Sequence, residues 1–90
     1  MSDVRDNRQL SRFELEEQGQ LAFADYRRTE GRLIIPHVEA APSLRGTGAA
    51  GRLMEGVLAA ARAEGLKVLP LCSYAAAYIR RHSEHQDLVD

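Results

Sequence analysis

Apolar and polar residues alternate from Ser11 onward, which is the pattern of β-strands with one exposed side. Phe13 and Leu15 flank Glu14 in the first predicted strand. The turn signal Gln18-Gly19-Gln20 then predicts a hairpin. Its second strand carries two sets of side chains on opposite sides, one of Leu21, Phe23 and Asp25 and the other of Ala22, Ala24 and Tyr26.

A third strand, Leu33–Ala40, is the most apolar of the three. It follows the charged segment Arg27–Arg32, which we interpret as a solvated hairpin loop. Pro36 has no N–H to donate, so it predicts a bulge or an edge segment within this strand. Residues 1–10 contain few large apolar side chains and are expected to form a flexible leader.

The apolar period changes to that of an amphipathic helix from about Gly48 to Glu64. Its apolar face consists of Leu53, Met54, Val57, Leu58 and Ala61. Gly65 is predicted to end the helix. The apolar run Leu66–Cys72 then predicts a fourth strand, which a crossover through the helix makes parallel to the third.

A second helix, Tyr74 to about Arg81, is predicted with Ser73 as its N-cap, followed by a polar tail anchored by Leu88 and Val89. The elements together predict an α/β (α+β) fold in one compact domain over residues 11–90. Its expected parts are three antiparallel strands, a main helix, a parallel fourth strand and a short C-terminal helix.

Composition adds limits to this picture. The chain has 90 residues, of which 44% are hydrophobic and 28% charged, as expected for one globular domain. A net charge of −1 shows no electrostatic footprint for nucleic acid. No apolar run approaches the roughly 20 residues that cross a membrane, and no signal peptide is visible. The single cysteine, Cys72, excludes an intramolecular disulfide and fits a reducing compartment, so we expect a cytoplasmic protein.

The chemistry of the chain centres on a glycine-rich turn that leads into the main helix. Gly46 and Gly48 lack a Cβ, and the first N–H groups of a helix are free to bind phosphate oxygens. Two common phosphate motifs fit poorly. A nucleotide P-loop needs Lys and Ser or Thr where Ala49-Ala50 stand. The string Gly46-x-Gly48-x-x-Gly51 matches the dinucleotide fingerprint, but hairpins precede it and the chain is too short for a second half.

Arg45-Gly46-Thr47-Gly48-Ala49-Ala50 resembles the R-x-x-G-x-G/A element of GNAT-type N-acetyltransferases. Further segments look like the short, single-domain acetyltransferase-like family of that superfamily: His37-Val38-Glu39, Pro42, Pro70-Leu71-Cys72-Ser73-Tyr74 and Tyr78-Ile79-Arg80-Arg81-His82. The resemblance covers about residues 13–89. Val38 replaces a usual threonine, and Ser83 replaces a usual proline.

The resemblance implies a cofactor and a place for it. Arg45, Gly46, Thr47, Gly48, Ala49 and Ala50 would bind the pyrophosphate of acetyl-coenzyme A through backbone amides. The pantetheine arm would enter a gap between the third and fourth strands and bond to exposed strand backbone. The thioester would then lie close to three candidate catalytic residues, His37, Glu39 and Cys72. No metal is expected.

Each candidate catalytic residue has an alternative. Cys72 is either a small core residue, a nucleophile, or an acid that protonates the leaving thiolate; direct transfer in the superfamily favours the acid among the chemical roles. His37 is either a structural strand residue or a basic or orienting group. Glu39 either faces solvent or deprotonates the amine through water. His37 and Glu39 share one face of the strand, and Val38 points away.

Aromatic and basic residues near the C-terminus receive structural interpretations. Tyr74 and Tyr78, one helical turn apart, are expected to pack rather than catalyse. Arg80 and Arg81 suit a helix C-terminus, and one of them is an alternative ligand for coenzyme phosphates. His82 and His85 have no partner cysteines and make a weak metal pair.

The leading hypothesis is an acetyl-coenzyme A-dependent N-acetyltransferase that acts directly on an amine, either a small molecule or a protein. The first alternative is a coenzyme A-binding module without transfer activity. A further alternative is an accessory protein whose tyrosine-rich C-terminal helix binds a partner. We expect a monomer or weak dimer that binds neither nucleic acid nor membrane.

Overall fold

One mixed β-sheet forms the frame of the computed structural model, which describes residues 3–89. Its strands, in spatial order, are β1 (Arg5–Asn7), β2 (Arg12–Glu17), β3 (Gln20–Thr29), β4 (Arg32–Ala40) and β5 (Lys67–Pro70). β1 to β4 are antiparallel neighbours, and β5 is parallel to β4, as predicted. The helices are α1 (Ala49–Glu64) and α2 (Ser73–Arg81), with 3₁₀ turns at Pro42–Leu44 and Ser83–Leu88.

The predicted main helix is confirmed together with both of its ends. Gly48 and Gly65 stand at its two caps in the left-handed region, with φ of 87° and 70°. The five residues of the predicted apolar face are all fully buried: Leu53, Met54, Val57, Leu58 and Ala61. They pack on the sheet face that contains Ala22 and Ala24, where small side chains allow the helix to approach closely. No helix within residues 3–89 is long and apolar enough to cross a membrane.

The predicted sheet differs from the observed one at its first edge. Four strands were expected, but a fifth, β1, lies inside the predicted flexible leader. The strand is polar, and cross-strand contacts hold it in place: the Tyr26 hydroxyl donates to Asp6 at 2.6 Å, and Arg28 pairs with Asp6 at 2.8 Å. Glu14 of β2, expected to be half exposed, is buried where Arg12 and Asn7 donate to it at 2.6 and 3.0 Å. Met1 and Ser2 lie outside the described residues.

Two further predictions about element ends are wrong. The hairpin predicted at Arg27–Arg32 is present, but its loop is limited to Glu30 and Gly31, because β3 continues to Thr29 and β4 begins at Arg32. Arg28 extends the strand by bonding Glu64 of α1 and lying over the ring of Tyr26. Ser73 is not the N-cap of α2 but its first residue; Cys72 stands at the cap, with no side-chain hydrogen bond.

The C-terminal tail is anchored as predicted. Leu88 is buried, and Val89 forms an isolated parallel bridge with Val68 of β5. Residues between them and α2 form the 3₁₀ turn Ser83–Leu88 rather than a free polar tail. Asp90 lies outside the described residues.

β4 and β5 separate at the bulge that Pro36 predicted. Asp25 pairs with His37 and Arg27 with Ile34, so β4 has one extra residue opposite β3 at this point. Pairing of β4 with β5 ends at Ile35 and Pro70. Ile35 then accepts hydrogen bonds from the N–H groups of both Leu71 and Cys72, at 3.0 Å each. The chain therefore turns away into α2, while β4 continues to Ala40 without a β5 partner in the described structure.

Candidate functional site

A cleft of about 520 Å³ opens where β4 and β5 separate, beside the N-terminal end of α1. β4 forms one wall, the glycine-rich turn and the first turn of α1 form a second, and α2 contributes Tyr74. The lining residues are His37, Val38, Glu39, Ala40, Leu44, Arg45, Gly46, Gly48, Ala50, Gly51 and Tyr74. The cleft thus joins the glycine-rich turn to two of the three candidate catalytic residues.

Backbone amides are the main feature of the cleft at the turn. Gly46 and Gly48 have φ of 81° and 87°, a conformation that favours glycine. Within residues 3–89, no protein acceptor bonds the N–H groups of Gly46, Gly48, Ala50 and Gly51. These amides stand at the positive end of the α1 dipole. Their arrangement suits an anion with several oxygens, such as a pyrophosphate.

Side chains outside the cleft fix the conformation of the turn. Thr47 donates its hydroxyl to the Leu44 carbonyl at 2.6 Å and accepts a bond from the Ala49 N–H at 3.3 Å. Arg52 donates to the Thr47 carbonyl at 3.1 Å and forms a two-bond pair with Glu17 at 2.8 Å. The hydrogen bond from Arg52 lowers the pKa of Glu17 below its ordinary value. Strand β2 therefore braces the turn.

The six predicted cofactor residues divide into two groups. Arg45, Gly46, Gly48 and Ala50 line the cleft. Thr47 and Ala49 do not: the Thr47 hydroxyl stabilises the turn, and Ala49 is fully buried in the core. Arg45 is exposed at the rim, where its Nε donates to the Ala40 carbonyl at 3.3 Å. Its guanidinium forms no ion pair with a carboxylate of the described residues, so it is a cation available to an anionic ligand.

His37 and Glu39 form a hydrogen-bonded pair on β4, as their spacing predicted. His37 Nε2 lies 3.0 Å from Glu39 Oε1, and the two side chains are 52% and 54% exposed. The ring of Phe23, which pairs with Glu39 across β3 and β4, has its centroid 6.1 Å from that of the imidazole. Val38 points the other way and packs against the core. A carboxylate and an imidazole in contact can relay a proton between a reactant and water.

Cys72 lies apart from that pair. It stands at the N-cap of α2, is half-buried against the core, and is not among the residues that line the cleft. Its N–H donates to the Ile35 carbonyl, and its own carbonyl accepts a hydrogen bond from the Ala76 N–H. A catalytic role for the thiol stays a prediction.

Two residues take part in the cleft that sequence reasoning gave other roles. Tyr74, predicted to pack, is 39% exposed and lines the cleft. Gly51 lines it too, and a Cβ there would lie 3.4 Å from the ring of Tyr78. The third glycine of the string thus lies where α1 faces α2, at a distance where a Cβ would just reach van der Waals contact. The four-residue spacing of the tyrosines could have indicated this role for Tyr74, because it places Tyr74 on the same side of α2 as Tyr78, which bonds Glu55 of α1.

A polar cluster occupies the junction of α1, α2 and the last 3₁₀ turn. Glu55 accepts hydrogen bonds from Tyr78 and His85, and the bond from Tyr78 lowers the pKa of Glu55. Burial is the main cause of the raised pKa of Tyr78. Ligand atoms of Glu55, Glu84 and His85 lie within 4.8 Å of one another, and no other such group of three occurs among the described residues. Those contacts already satisfy Glu55, and the predicted absence of a metal stays a prediction.

The comparison with known proteins agrees with this geometry. A search among curated proteins finds no match to the chain. The family described as GCN5-related N-acetyl-transferase matches residues 12–88, which include every strand from β2 onward, both helices and the whole cleft. The chain therefore belongs to the GCN5-related N-acetyltransferase family.

Proposed function

We propose that this protein transfers an acetyl group from acetyl-coenzyme A directly to an amine. The observation that supports it best is the set of unpartnered N–H groups at Gly46, Gly48, Ala50 and Gly51, which open into a cleft between separated strands. A pyrophosphate at these amides would meet the α1 dipole and Arg45. The pantetheine arm would follow the β4 backbone beyond Pro36, where hydrogen-bonding groups have no β5 partner.

Direct acetyl transfer requires only a few proton transfers from the site. The neutral amine attacks the thioester carbonyl, a C–N bond forms, and the C–S bond breaks. Glu39, alone or through His37 and a water, takes the proton that the nitrogen must lose. The departing thiolate takes a proton from solvent or from an acid, for which Cys72 is our candidate. Because His37 and Glu39 are half exposed, that proton passes readily to water.

A cleft-blocking variant tests the binding site. Ala50 lines the cleft in the first turn of α1, whereas Ala59 is exposed on the same helix and lies outside the cleft. We expect Ala50→Trp to weaken acetyl-coenzyme A binding in calorimetry by at least about tenfold, which is about 1.4 kcal/mol. Ala59→Trp makes the same change outside the cleft and should bind like the wild type. No binding by the wild type, or equal binding by both variants, contradicts the proposed site.

The exposure of His37 and Glu39 also favours a second candidate, a coenzyme A-binding module without transfer activity. Small-molecule sites usually bury most of their ligand, and no further wall covers this pair among the described residues. Release of free coenzyme A thiol, followed across a panel of small amines and lysine-containing peptides, separates the two candidates. Release that depends on an amine excludes the binding module, and its absence with every acceptor, despite tight binding, favours it.

A further inference from the structure

Glu55 on the exposed side of α1 is the shared partner of two side chains from other elements. The Tyr78 hydroxyl of α2 donates to one carboxylate oxygen. His85 Nε2 of the last 3₁₀ turn lies 3.0 and 3.2 Å from the two oxygens. His85 Nδ1 is buried without a partner among the described residues, so Glu55 supplies all the side-chain bonding of that imidazole. One carboxylate thus ties three elements together.

α2 needs polar contacts of this kind to hold its position, because it buries few apolar side chains. Only Ala75 and Ile79 of its nine residues are buried. Its N-terminal end is held by the two amides that donate to Ile35. Its C-terminal half is held by the buried Ile79, whose carbonyl accepts a hydrogen bond from Gln86 at 2.6 Å, and by Tyr78, whose ring faces Gly51 of α1. The Tyr78–Glu55 bond fixes how that ring lies against α1.

The same ring connects this tie to the cleft. Tyr74 lies one turn before Tyr78, with ring centroids 6.3 Å apart, and forms the α2 side of the cleft. Gly51, where an added Cβ would lie 3.4 Å from the Tyr78 ring, also lines the cleft. A shift of Tyr78 along α1 therefore moves Tyr74 relative to the amides at the N-terminal end of α1. Glu55 itself is not a lining residue of the cleft.

We infer that Glu55 is a positioning residue of the coenzyme cleft: it holds α2 so that Tyr74 closes the wall opposite β4. The inference rests on the proposed function, since it concerns the affinity of the same cleft. It assigns Glu55 an effect on ligand binding without contact with the ligand. Tyr78 transmits that effect, and His85 steadies the carboxylate.

The test compares coenzyme A affinity with stability in matched variants. Glu55→Ala should weaken acetyl-coenzyme A binding in calorimetry by about tenfold, the scale of one hydrogen bond to a charged group. In an assay with an active amine, KM for the coenzyme should rise more than kcat falls. Glu55→Gln keeps an oxygen acceptor for Tyr78 and should recover most of the affinity. Tyr78→Phe should match Glu55→Ala, and the double variant should be no weaker than either single variant.

Asp87→Ala provides the control for general loss of stability. Asp87 ties α1 to the same 3₁₀ turn through a two-bond pair with Arg62, at 2.7 and 3.0 Å, and it has no hydrogen bond or ion pair with α2 among the described residues. We expect this variant to lower the melting temperature and leave the affinity unchanged. Equal affinity losses in Asp87→Ala and Glu55→Ala, or no loss in Glu55→Ala, would overturn the inference. Failure of the wild type to bind the coenzyme is a different result, because it contradicts the proposed function.

Discussion

The hydrogen-bonded pair of His37 and Glu39 is the basis for predicting a general base at this site. A carboxylate 3.0 Å from an imidazole, half exposed at a cleft wall, is suited to take a proton from an incoming amine. We expect Glu39→Gln to lower kcat by roughly 10²- to 10⁴-fold, the usual range for loss of a general base. The affinity for acetyl-coenzyme A should stay the same, because the amides that we propose as the anion site are unchanged. Calorimetry and steady-state kinetics on one preparation measure both quantities.

Two comparison variants sharpen that experiment. Glu16→Gln removes an exposed carboxylate from β2, away from the cleft, and should leave kcat unaltered. Cys72→Ala removes the candidate proton donor, which stands outside the cleft lining. A fall in kcat there supports an acid role, and an unchanged kcat returns the thiol to packing. An unchanged kcat in Glu39→Gln would refute its role as base.

At the residue scale, spacing predicted contacts within one strand but not contacts between elements. A separation of two residues on one strand was sufficient to predict that the His37 and Glu39 side chains lie on the same face. Nothing local distinguishes Thr47 from its neighbours in the turn, although its hydroxyl bonds Leu44 instead of facing the cleft. Tyr74 was predicted to pack, and its place in the cleft was missed because that place depends on where α2 lies in the folded molecule.

Among the elements, β1 depends most on polar contacts with its neighbours. Asp6 joins it to β3 through Tyr26 at 2.6 Å and Arg28 at 2.8 Å, and Arg5 and Asn7 join it to Glu14 of β2. We expect Asp6→Ala to lower the free energy of unfolding by about 1–3 kcal/mol, because the buried Tyr26 hydroxyl loses its acceptor and the partly buried Arg28 loses one of its two carboxylate partners. Urea unfolding monitored by circular dichroism measures the change. Asp3→Ala, an exposed carboxylate near β1, is the control and should have little effect. Equal values for the two variants would mean that Asp6 does not hold β1 in place.

The elements show why some of the fold could be predicted and some could not. α1 combines a helical apolar stripe with a glycine at each end, so both its bounds and its buried face follow from local signals. β1 has the sequence Arg-Asp-Asn, which has no strand pattern of its own. Its structure comes from partners that stand far along the chain, such as Tyr26 and Arg28. The same dependence explains why Arg27–Arg32 resembled a loop.

For the whole molecule, ion pairs join the sheet to its edge strand and to the helices. Arg28 connects Asp6 of β1 to Glu64 of α1, and Arg52 connects Glu17 of β2 to the glycine-rich turn. Two of these contacts favour the ionised carboxylate: the hydrogen bond from Arg28 lowers the pKa of Glu64, and that from Arg52 lowers the pKa of Glu17. The folded state therefore binds acid protons less readily than the unfolded chain does.

Glu14 is the best residue for testing this sensitivity of stability to acid, because among residues 3–89 it is the buried carboxylate. The hydrogen bond from Arg12 is the main cause of a pKa below the ordinary value of 4.5. A lowered folded-state pKa contributes stability above pH 4.5, and that contribution is lost as pH falls through the folded-state pKa. We expect Glu14→Gln to reduce the free energy of unfolding by about 1–2 kcal/mol at pH 7. Its difference from the wild type should shrink toward pH 3, as urea unfolding across the pH range will measure. Glu16→Gln, which changes an exposed carboxylate two residues along the same strand, should follow the wild-type curve. A Glu14→Gln difference that is independent of pH would show that packing rather than charge is responsible.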